Sequence, residues 1–485
     1  MGIRAGRDDQ AAARRNSLRV PRVQRHSPPF VAPLPQAMKA TLLNWWDRIR
    51  GSFWFLPALM SLTAVALAFG VLELDRGAAG QWLASHGFGY GGSAEGASTV
   101  LQTIASSMIT IAGVVFSITL VAMSLASSQF GPRLLRNLMR DTANQAVLGV
   151  FIATFLYCIL VLRAVRRADE SLFVPHIGVA VGVLLALAGI AMLVYFIHHV
   201  SMSIQADEMI ARVGVEVHEA IDRMFPERIG RSRREAASAE MLLPESFARD
   251  ARTIEAGEDG YLQRVEPEVL MDVARRGELI VRLHRRPGDF VIAGSALASA
   301  WPAGRVDDAA AGEIAGAFAF GIQRTPVQDV RFSLEQLAEI AVRALSPGVN
   351  DPYTALACID RIASALHRLA QREMPSAYRA DDEGRLRVVA IPATFAELLD
   401  AAFDPLRQHG RTNAAITIRL LEAIGAVAPM TRRAADRDAL RRQAEMIARG
   451  AREGLPEAED QRSALRAFEA ALEAVQPRKL MPREA

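Results

Sequence analysis

Cysteine is scarce in this sequence: Cys158 and Cys358 are the only two among 485 residues. Cys158 lies in a stretch without charge and Cys358 in a charged region, so we expect them in different compartments and predict no structural disulfide. Neither has ligand neighbours at the spacing of a zinc site, and we predict no bound metal. The scarcity of cysteine excludes a disulfide-stapled scaffold.

The common catalytic motifs are also missing. The sequence contains no phosphate-binding loop, no dinucleotide fingerprint after a strand, no His-Glu-x-x-His and no nucleophile elbow. An intramembrane enzyme would need an ionisable group within the membrane, and only the boundary residues His198 and His199 come near that position. We therefore predict that the protein is not an enzyme and carries no cofactor.

Charge is absent from four long stretches, although 22% of the chain is charged and 51% is hydrophobic. At 1.5 Å per helical residue, each stretch is about long enough to cross a hydrocarbon core of roughly 30 Å. A charge placed midway would be strongly unfavourable there. The sequence thus predicts an α-helical polytopic membrane protein with four transmembrane helices. The four stretches are residues 53–72, 101–128, 146–162 and 177–197.

The rest of the chain is predicted to be a mixed α+β, mostly helical cytoplasmic region. We expect the first residues to be disordered, because nothing in them is periodic, and we hypothesise that Met38 is the true translational start. The predicted domains are a disordered basic leader (1–37), a four-helix transmembrane domain (38–200), a helical extension and linker (201–259), a small β-rich module (260–305) and a mainly helical domain (306–485).

The helical extension is predicted from an amphipathic stripe that follows the fourth span. Its apolar residues recur at intervals of three and four, the spacing of one helix face. We expect the fourth span to run on as one long helix until Pro226. The stripe consists of Ile210, Val213, Val217, Ile221 and Met224.

The orientation is predicted from the bias of Lys and Arg toward the cytoplasm. The loops after the second and third spans carry three arginines each and do not decide it. Residues 1–52 hold ten Lys and Arg against three acids, which favours a cytoplasmic N-terminus. Because four spans return the chain to the same side, we expect the C-terminal region in the cytoplasm as well.

The second span carries a stripe of hydroxyl side chains at heptad-like spacing. Small and hydroxylated residues favour close packing of helices in a membrane, which is one interpretation of the stripe. The other interpretation is the lining of a water-filled path, as in pore helices. The stripe consists of Thr103, Ser107, Thr110, Ser117, Ser124 and Ser128.

A basic juxtamembrane segment follows the second span. Its arginines lie at helical spacing, and such a face usually binds anionic lipid headgroups. A role in gating or in attracting anions is the alternative. We expect no nucleic-acid binding, since the basic N-terminus lacks interleaved aromatic residues and lies next to a membrane. The segment includes Gln129, Pro132, Arg133, Arg136 and Arg140.

A polar motif near residue 350 is typical of a corner between two helices. Asp351 is placed as an N-cap, and Pro352 as a first helical residue, where a missing N–H costs nothing. The motif can be explained as a helix–turn–helix corner, and its polar content leaves a ligand site or subunit contact as the alternative. The motif comprises Ser346, Pro347, Gly348, Asn350, Asp351, Pro352 and Thr354, with Asp329 and Arg343 counted as nearby.

Four segments resemble a known bacterial family of predicted membrane proteins, domain of unknown function 2254. The resemblance covers about residues 38–427 and rests on "FSITLVAMSLASSQFGPRLLRNLMRD", "YFIHHVSMSIQ", "RRPGDFVIAG" and "RTPVQDVRFSLEQLAEIAVRALSPGVNDPYTALACID". It implies an inner-membrane protein with four helices and a large cytoplasmic portion. No activity is established for that family, so the resemblance implies no catalytic residue.

Two functions follow from these observations as hypotheses. The first is a homo-oligomeric channel or channel-like transporter in which the second span lines the axis. The second is a non-transporting membrane scaffold or sensor, whose cytoplasmic region binds a partner or small ligand through the corner at Ser346–Thr354. In both hypotheses the lipid bilayer and its anionic headgroups are partners.

Overall fold

The computed structural model describes residues 53–77, 90–130, 141–165, 173–203, 205–225 and 243–476. The basic leader and the hypothetical start at Met38 lie outside these residues. Most of the juxtamembrane segment also lies outside the described residues, and so does the side chain of the last residue in the hydroxyl stripe. Outside the description are Pro132, Arg133, Arg136 and Arg140, and the side chains of Ser128 and Gln129.

Four long apolar helices form the first part of the described chain. Each is long and apolar enough to cross a membrane, which confirms the prediction of four candidate membrane-spanning helices. The second one begins well before the predicted stretch because its first two turns carry only one charge, Glu95. The helices are α1 (Phe55–Arg76), α2 (Ala94–Phe130), α3 (Thr142–Ala164) and α4 (His176–Ser203).

Acidic side chains define the two ends of this bundle. At one end, Asp75 accepts hydrogen bonds from the backbone N–H groups of Ile177 and Gly178, both at 2.9 Å. At the other end, Asp141 caps α3 and lies 2.7 Å from Nε2 of His199. His199 follows Ile177 by 22 residues, about 33 Å of α-helix. The slab between these layers therefore matches the thickness of a hydrocarbon core.

Small residues bring α4 close to its neighbours. A methyl group on Gly182 would lie 3.2 Å from Leu101, and one on Gly189 would lie 3.1 Å from Met108. Both pairs differ by 81 residues, so α2 and α4 run parallel and in register. Since α2 ends at Phe130, it extends beyond the layer of His199 on the side of the C-terminal region.

The predicted continuation of α4 to Pro226 is wrong in one respect. A separate helix, α5 (Ala206–Met224), begins after Gln205, whose φ of −68° and ψ of 133° are extended rather than helical. The apolar stripe itself is buried except at Met224, which is half-buried. Local spacing predicted the stripe but not the break, because both sides of Gln205 have helical periodicity.

Two β-sheets follow, and they hold more of the chain than the predicted module 260–305. A five-stranded sheet has the order β1-β5-β3-β8-β7, and a three-stranded sheet has the order β4-β2-β6. All pairs are antiparallel except β3 with β8. The strands are β1 (Arg252–Glu255), β2 (Gly260–Val265), β3 (Ile280–Leu283), β4 (Phe290–Val291), β5 (Ala296–Trp301), β6 (Phe318–Gly321), β7 (Tyr378–Ala380) and β8 (Leu386–Val389).

Eight further helices complete the described chain. Two pack with the sheets around one apolar core, and the other six form a second core together with α5. Ala126, near the end of α2, is buried in that second core, so the bundle and the C-terminal region are in contact. The helices are α6 (Pro267–Arg276), α7 (Asp308–Gly316), α8 (Val330–Ala344), α9 (Pro352–Ala370), α10 (Phe395–Gly410), α11 (Ala414–Val427), α12 (Ala434–Gly454) and α13 (Ala458–Val475).

Candidate functional site

The hydroxyl stripe of α2 is left uncovered by the other described helices. Its five described side chains are exposed, while Ala105, Met108 and Val115 on the opposite face are buried in the bundle. The hydroxyls of Thr103 and Thr110 donate to backbone carbonyls one turn earlier, both at 2.8 Å. Among the described residues, the stripe therefore takes no part in the packing of α2 against other helices.

The corner between α8 and α9 satisfies most of its own polar groups. Asp351 accepts hydrogen bonds from the N–H groups of Tyr353 and Thr354 at 3.1 and 3.2 Å, and Pro352 is the first helical residue. The Thr354 hydroxyl donates to the same carboxylate at 2.6 Å and lowers the pKa of Asp351. Ser346 donates to the carbonyl of Arg343 at 2.6 Å. This geometry favours the corner interpretation over a ligand site.

Asp329 does not belong to that corner, contrary to the prediction. It is the N-cap of α8, where it accepts a hydrogen bond from the N–H of Phe332 at 3.0 Å, whereas Arg343 lies in the last turn of the same helix. Arg343 follows Asp329 by fourteen residues, about 21 Å along the helix. The prediction placed Asp329 near the corner because the two are close in sequence. In the structure, the length of α8 separates them.

Asp329 instead forms a buried network with an arginine. Arg324 donates to Oδ2 of Asp329 from Nε at 2.9 Å and from a terminal nitrogen at 2.7 Å, and it contacts Glu335 at 2.5 Å. Burial works against the charge of Arg324, but the two carboxylates outweigh it, so its pKa is raised. Gly288, at a φ of +99°, packs directly on the Asp329 carboxylate. The network fixes the turn after β3 against the start of α8.

A cavity of about 740 Å³ opens beside this network. It lies between the sheets and the helices, bordered by the first turns of α6, α8 and α10 and by the last residues of α5. Its apolar wall includes Phe225, Leu270, Leu283 and Leu398. The volume is in the range of sites for small organic ligands, and helix N-termini favour anions.

The cavity is rich in arginine. Six arginines line it against the three carboxylates of Asp289, Asp329 and Glu397. Burial works against the charge of Glu397, but a hydrogen bond from Arg286 outweighs it and lowers the pKa of that carboxyl. Six arginines against three carboxylates give the lining a net charge of about +3. The arginines are Arg223, Arg285, Arg286, Arg324, Arg331 and Arg379.

Three of these arginines contact no carboxylate among the described residues. Arg223 donates to the carbonyl of Val327 at 3.2 Å, and Arg379 contacts two backbone carbonyls. Burial lowers the pKa of Arg379. The Nε of Arg285 is buried and has no hydrogen-bond partner in the described chain. Such a donor is costly to bury unless a ligand atom accepts from it.

A second, more open cavity of about 630 Å³ lies next to the first and has the opposite character. It contains Glu335, Glu339, Asp400 and Asp404, each of which is paired with an arginine. In the described ranges, no group of three or more His, Cys, Asp or Glu side chains could hold a metal ion. Its paired carboxylates make it a weaker candidate site.

Sequence reasoning singled out part of the arginine-rich cavity without recognising it. Arg285, Arg286, Arg324 and Arg331 fall in the quoted segments "RRPGDFVIAG" and "RTPVQDVRFSLEQ", so those segments carried the available signal. Arg223 and Arg379 come from distant parts of the chain and stand in no motif. Their convergence depends on how α5 and β7 pack, which local patterns do not show.

These features define a membrane protein with four apolar helices and a large mixed α+β region. The chain belongs to the family described as predicted membrane protein, DUF2254, whose model matches residues 50–426. It is 32% identical over 437 residues to uncharacterized protein Rv1290c of Mycobacterium tuberculosis and to uncharacterized protein Mb1321c of Mycobacterium bovis. Each match covers 89% of this chain and 82% of the relative. No solved structure matches the chain.

Proposed function

We propose that this membrane protein is a sensor whose C-terminal region binds a small organic anion in the arginine-rich cavity. The observation that carries the proposal is the cavity of about 740 Å³ with its six arginines and three carboxylates. The sequence also suggested a sensor, but with a ligand site at the corner between α8 and α9. We propose that the ligand binds in the cavity instead. We also propose that the protein lies in the bacterial inner membrane with both termini in the cytoplasm and performs no catalysis.

The lining indicates a ligand with two chemically different parts. Arginine forms paired hydrogen bonds with phosphate and carboxylate groups, and Arg285 has a buried donor available for one. The apolar part of the lining, with Phe225, Leu270 and Leu398, offers no partner to a bare inorganic ion. A phosphate or carboxylate attached to an apolar or aromatic body therefore fits best.

Two helices connect the cavity to the membrane bundle. The last residues of α5, Arg223 and Met224, line the cavity together with Phe225, and the first residues of α5 come shortly after α4 in the chain. The start of α8 also lines the cavity, and α8 contacts α2. A ligand that draws the sheets and helices together would therefore act on α5, which follows α4, and on α8, which contacts α2.

We expect the Arg285→Ala variant to bind such an anion about 10–100-fold more weakly, since it removes hydrogen bonds from a charged donor. The probe is 1-naphthyl phosphate, titrated calorimetrically into the full-length protein in detergent. Arg282→Ala is the matched control: Arg282 lies in β3, three residues before Arg285, is exposed and does not line the cavity. Its affinity for the probe should equal that of the wild type.

Inorganic phosphate serves as the comparison ligand. The proposal expects it to bind more weakly than 1-naphthyl phosphate, because it cannot use the apolar wall. If neither probe binds the wild type, or if Arg282→Ala weakens binding as much as Arg285→Ala does, the cavity is not the site of an organic anion.

A second function, a homo-oligomeric channel, is favoured by the uncovered stripe of α2. Its hydroxyl side chains, such as Thr110 and Ser117, face away from the protomer together with the apolar side chains Val114 and Val121, which are 53% and 59% exposed. In an oligomer the same face of each copy would meet around an axis. Water between the copies would then contact the hydroxyls.

Cysteine substitution tests the channel directly. In a water path, Ser117→Cys should react with a membrane-impermeant thiosulfonate, whereas Leu120→Cys, exposed but off the stripe, should stay unreactive in lipid. A conductance of the purified protein in planar bilayers and a multimeric mass in detergent are expected as well. Protection at both positions, or a monomeric mass, would exclude an axial α2.

A further inference from the structure

The corner between α8 and α9 lies near the membrane, as the pairing of α5 with α9 indicates. Gly214 packs on Arg361, His218 lies 3.2 Å from Ser364, and Asp222 pairs with Arg368. The two members of each pair differ by 146 or 147 residues, so α5 and α9 run parallel and in register. The start of α9 is therefore level with the start of α5.

Extending this register places Tyr353 level with Asp207. The distance to the membrane follows from α2, which is unbroken here and in register with α4: Ile118 is level with His199, and Ala126, buried against the start of α5, lies eight helical residues further, about 12 Å. His199 and Asp141 form the charged layer where the hydrocarbon core ends on this side. The start of α9 is thus about 12 Å from that boundary, and the turn that precedes Pro352 extends further toward it.

The contacts of α2 agree with this placement. Ala126, near the end of α2, is buried in one cluster with Met209 and Ile210 at the start of α5. The helix α8, which ends at this corner, also contacts α2. One helix of the membrane bundle, α2, therefore reaches the level at which α5 and α9 begin.

The corner presents apolar side chains to its surroundings. Tyr353 is 80% exposed and Val349 is 50% exposed, and Pro347 between the helices is exposed as well. Side chains at the start of a helix lean toward its N-terminus, which for Tyr353 is the direction of the membrane. Tyrosine is enriched at membrane–water interfaces, where its ring lies among apolar groups and its hydroxyl stays hydrated.

We propose that this corner docks on the lipid headgroup layer and gives the C-terminal region a second contact with the membrane, besides the four helices. The occupant is the bilayer that holds those helices, because the headgroup layer extends roughly 5–8 Å beyond the hydrocarbon core. A tyrosine ring and a turn within about 12 Å of that core reach it. The polar groups of Asp351 and Thr354 are satisfied internally, so docking leaves them paired.

Spin labels measure this contact in the full-length protein. The variants Val349→Cys and Tyr353→Cys are labelled with a nitroxide in bilayers of phosphatidylethanolamine and phosphatidylglycerol. Ile322→Cys is the control, since Ile322 is 90% exposed and follows β6 among the sheets. The native residues Cys158 and Cys358 are buried, so a labelled wild-type sample reports any background.

We expect the water-soluble relaxant nickel ethylenediaminediacetate to act about threefold less on the corner labels than on the Ile322 label, with oxygen acting more strongly. Equal access of the nickel complex at all three positions overturns the proposal. Spin–spin broadening that disappears on dilution with unlabelled protein also overturns it, because a second copy would then cover the corner. Each label is compared with the unlabelled variant by gel filtration, so an unfolded protein is recognised.

Discussion

The Arg324→Met variant is expected to lower the free energy of unfolding of the C-terminal region by about 3 kcal/mol. It leaves the carboxylate of Asp329, only 5% exposed, without the guanidinium that donates two hydrogen bonds to it. Methionine replaces most of the lost volume, so the effect reports the charge rather than a cavity. The measurement is urea unfolding of the full-length protein in detergent, followed by circular dichroism.

Arg331→Ala is the matched control for this variant. Arg331 pairs with the same Glu335, but it is 48% exposed, and such pairs contribute about 0.5 kcal/mol or less. The double variant Arg324→Met, Asp329→Asn removes the buried charge and should recover part of the loss. If the two arginine variants destabilise equally, or if the double variant is no better than Arg324→Met, the buried pair does not hold this junction together.

The membrane part could be predicted well from the sequence, because its physics is local. A hydrocarbon core about 30 Å thick demands long runs without charge, whatever their neighbours are. Leu101–Ser128 met that demand, and α2 indeed includes it. The exposure of Thr110 and Ser117 could not be predicted, because the same spacing of hydroxyl residues is found in packed helix interfaces and in helices that line a water-filled path.

The sheets were predicted in part, and the missing part is non-local. The β-rich module predicted at residues 260–305 contains four of the eight described strands, β2 to β5. By contrast, Val281 in β3 pairs in parallel with Val388 in β8, more than 100 residues later. No local alternation reveals such a pairing, and the module therefore appeared to end at residue 305.

The candidate site shows the same limit at the level of side chains. Asp351 could be identified as a helix cap because its partners, Tyr353 and Thr354, follow at once. Arg285 and Arg379 line one cavity only because the turn after β3 and the strand β7 meet against the helices. A lone arginine in a sequence is most often a solvated surface residue, so its burial is the information that only the fold supplies.

The Gly288→Ala variant should destabilise the same junction by about 3–5 kcal/mol, combining backbone strain with the loss of a buried ion pair. Gly288 has a φ of +99°, which side chains rarely adopt, and an added methyl group would overlap Oδ2 of Asp329. The carboxylate cannot yield freely, because Arg324 and the N–H of Phe332 both hold it. Since Gly288 also lines the arginine-rich cavity, binding of 1-naphthyl phosphate should be lost together with stability.

Gly294→Ala separates the two contributions. Gly294 lies in the same segment and has a φ of +78°, but an added methyl group meets nothing within 4 Å. Backbone strain alone should cost about 1–2 kcal/mol there and leave binding of the probe intact, because Gly294 does not line the cavity. Urea unfolding of both variants measures the difference. If Gly288→Ala is no more destabilising than Gly294→Ala, then the carboxylate of Asp329 moves aside at little cost, and the network does not shape the cavity rigidly.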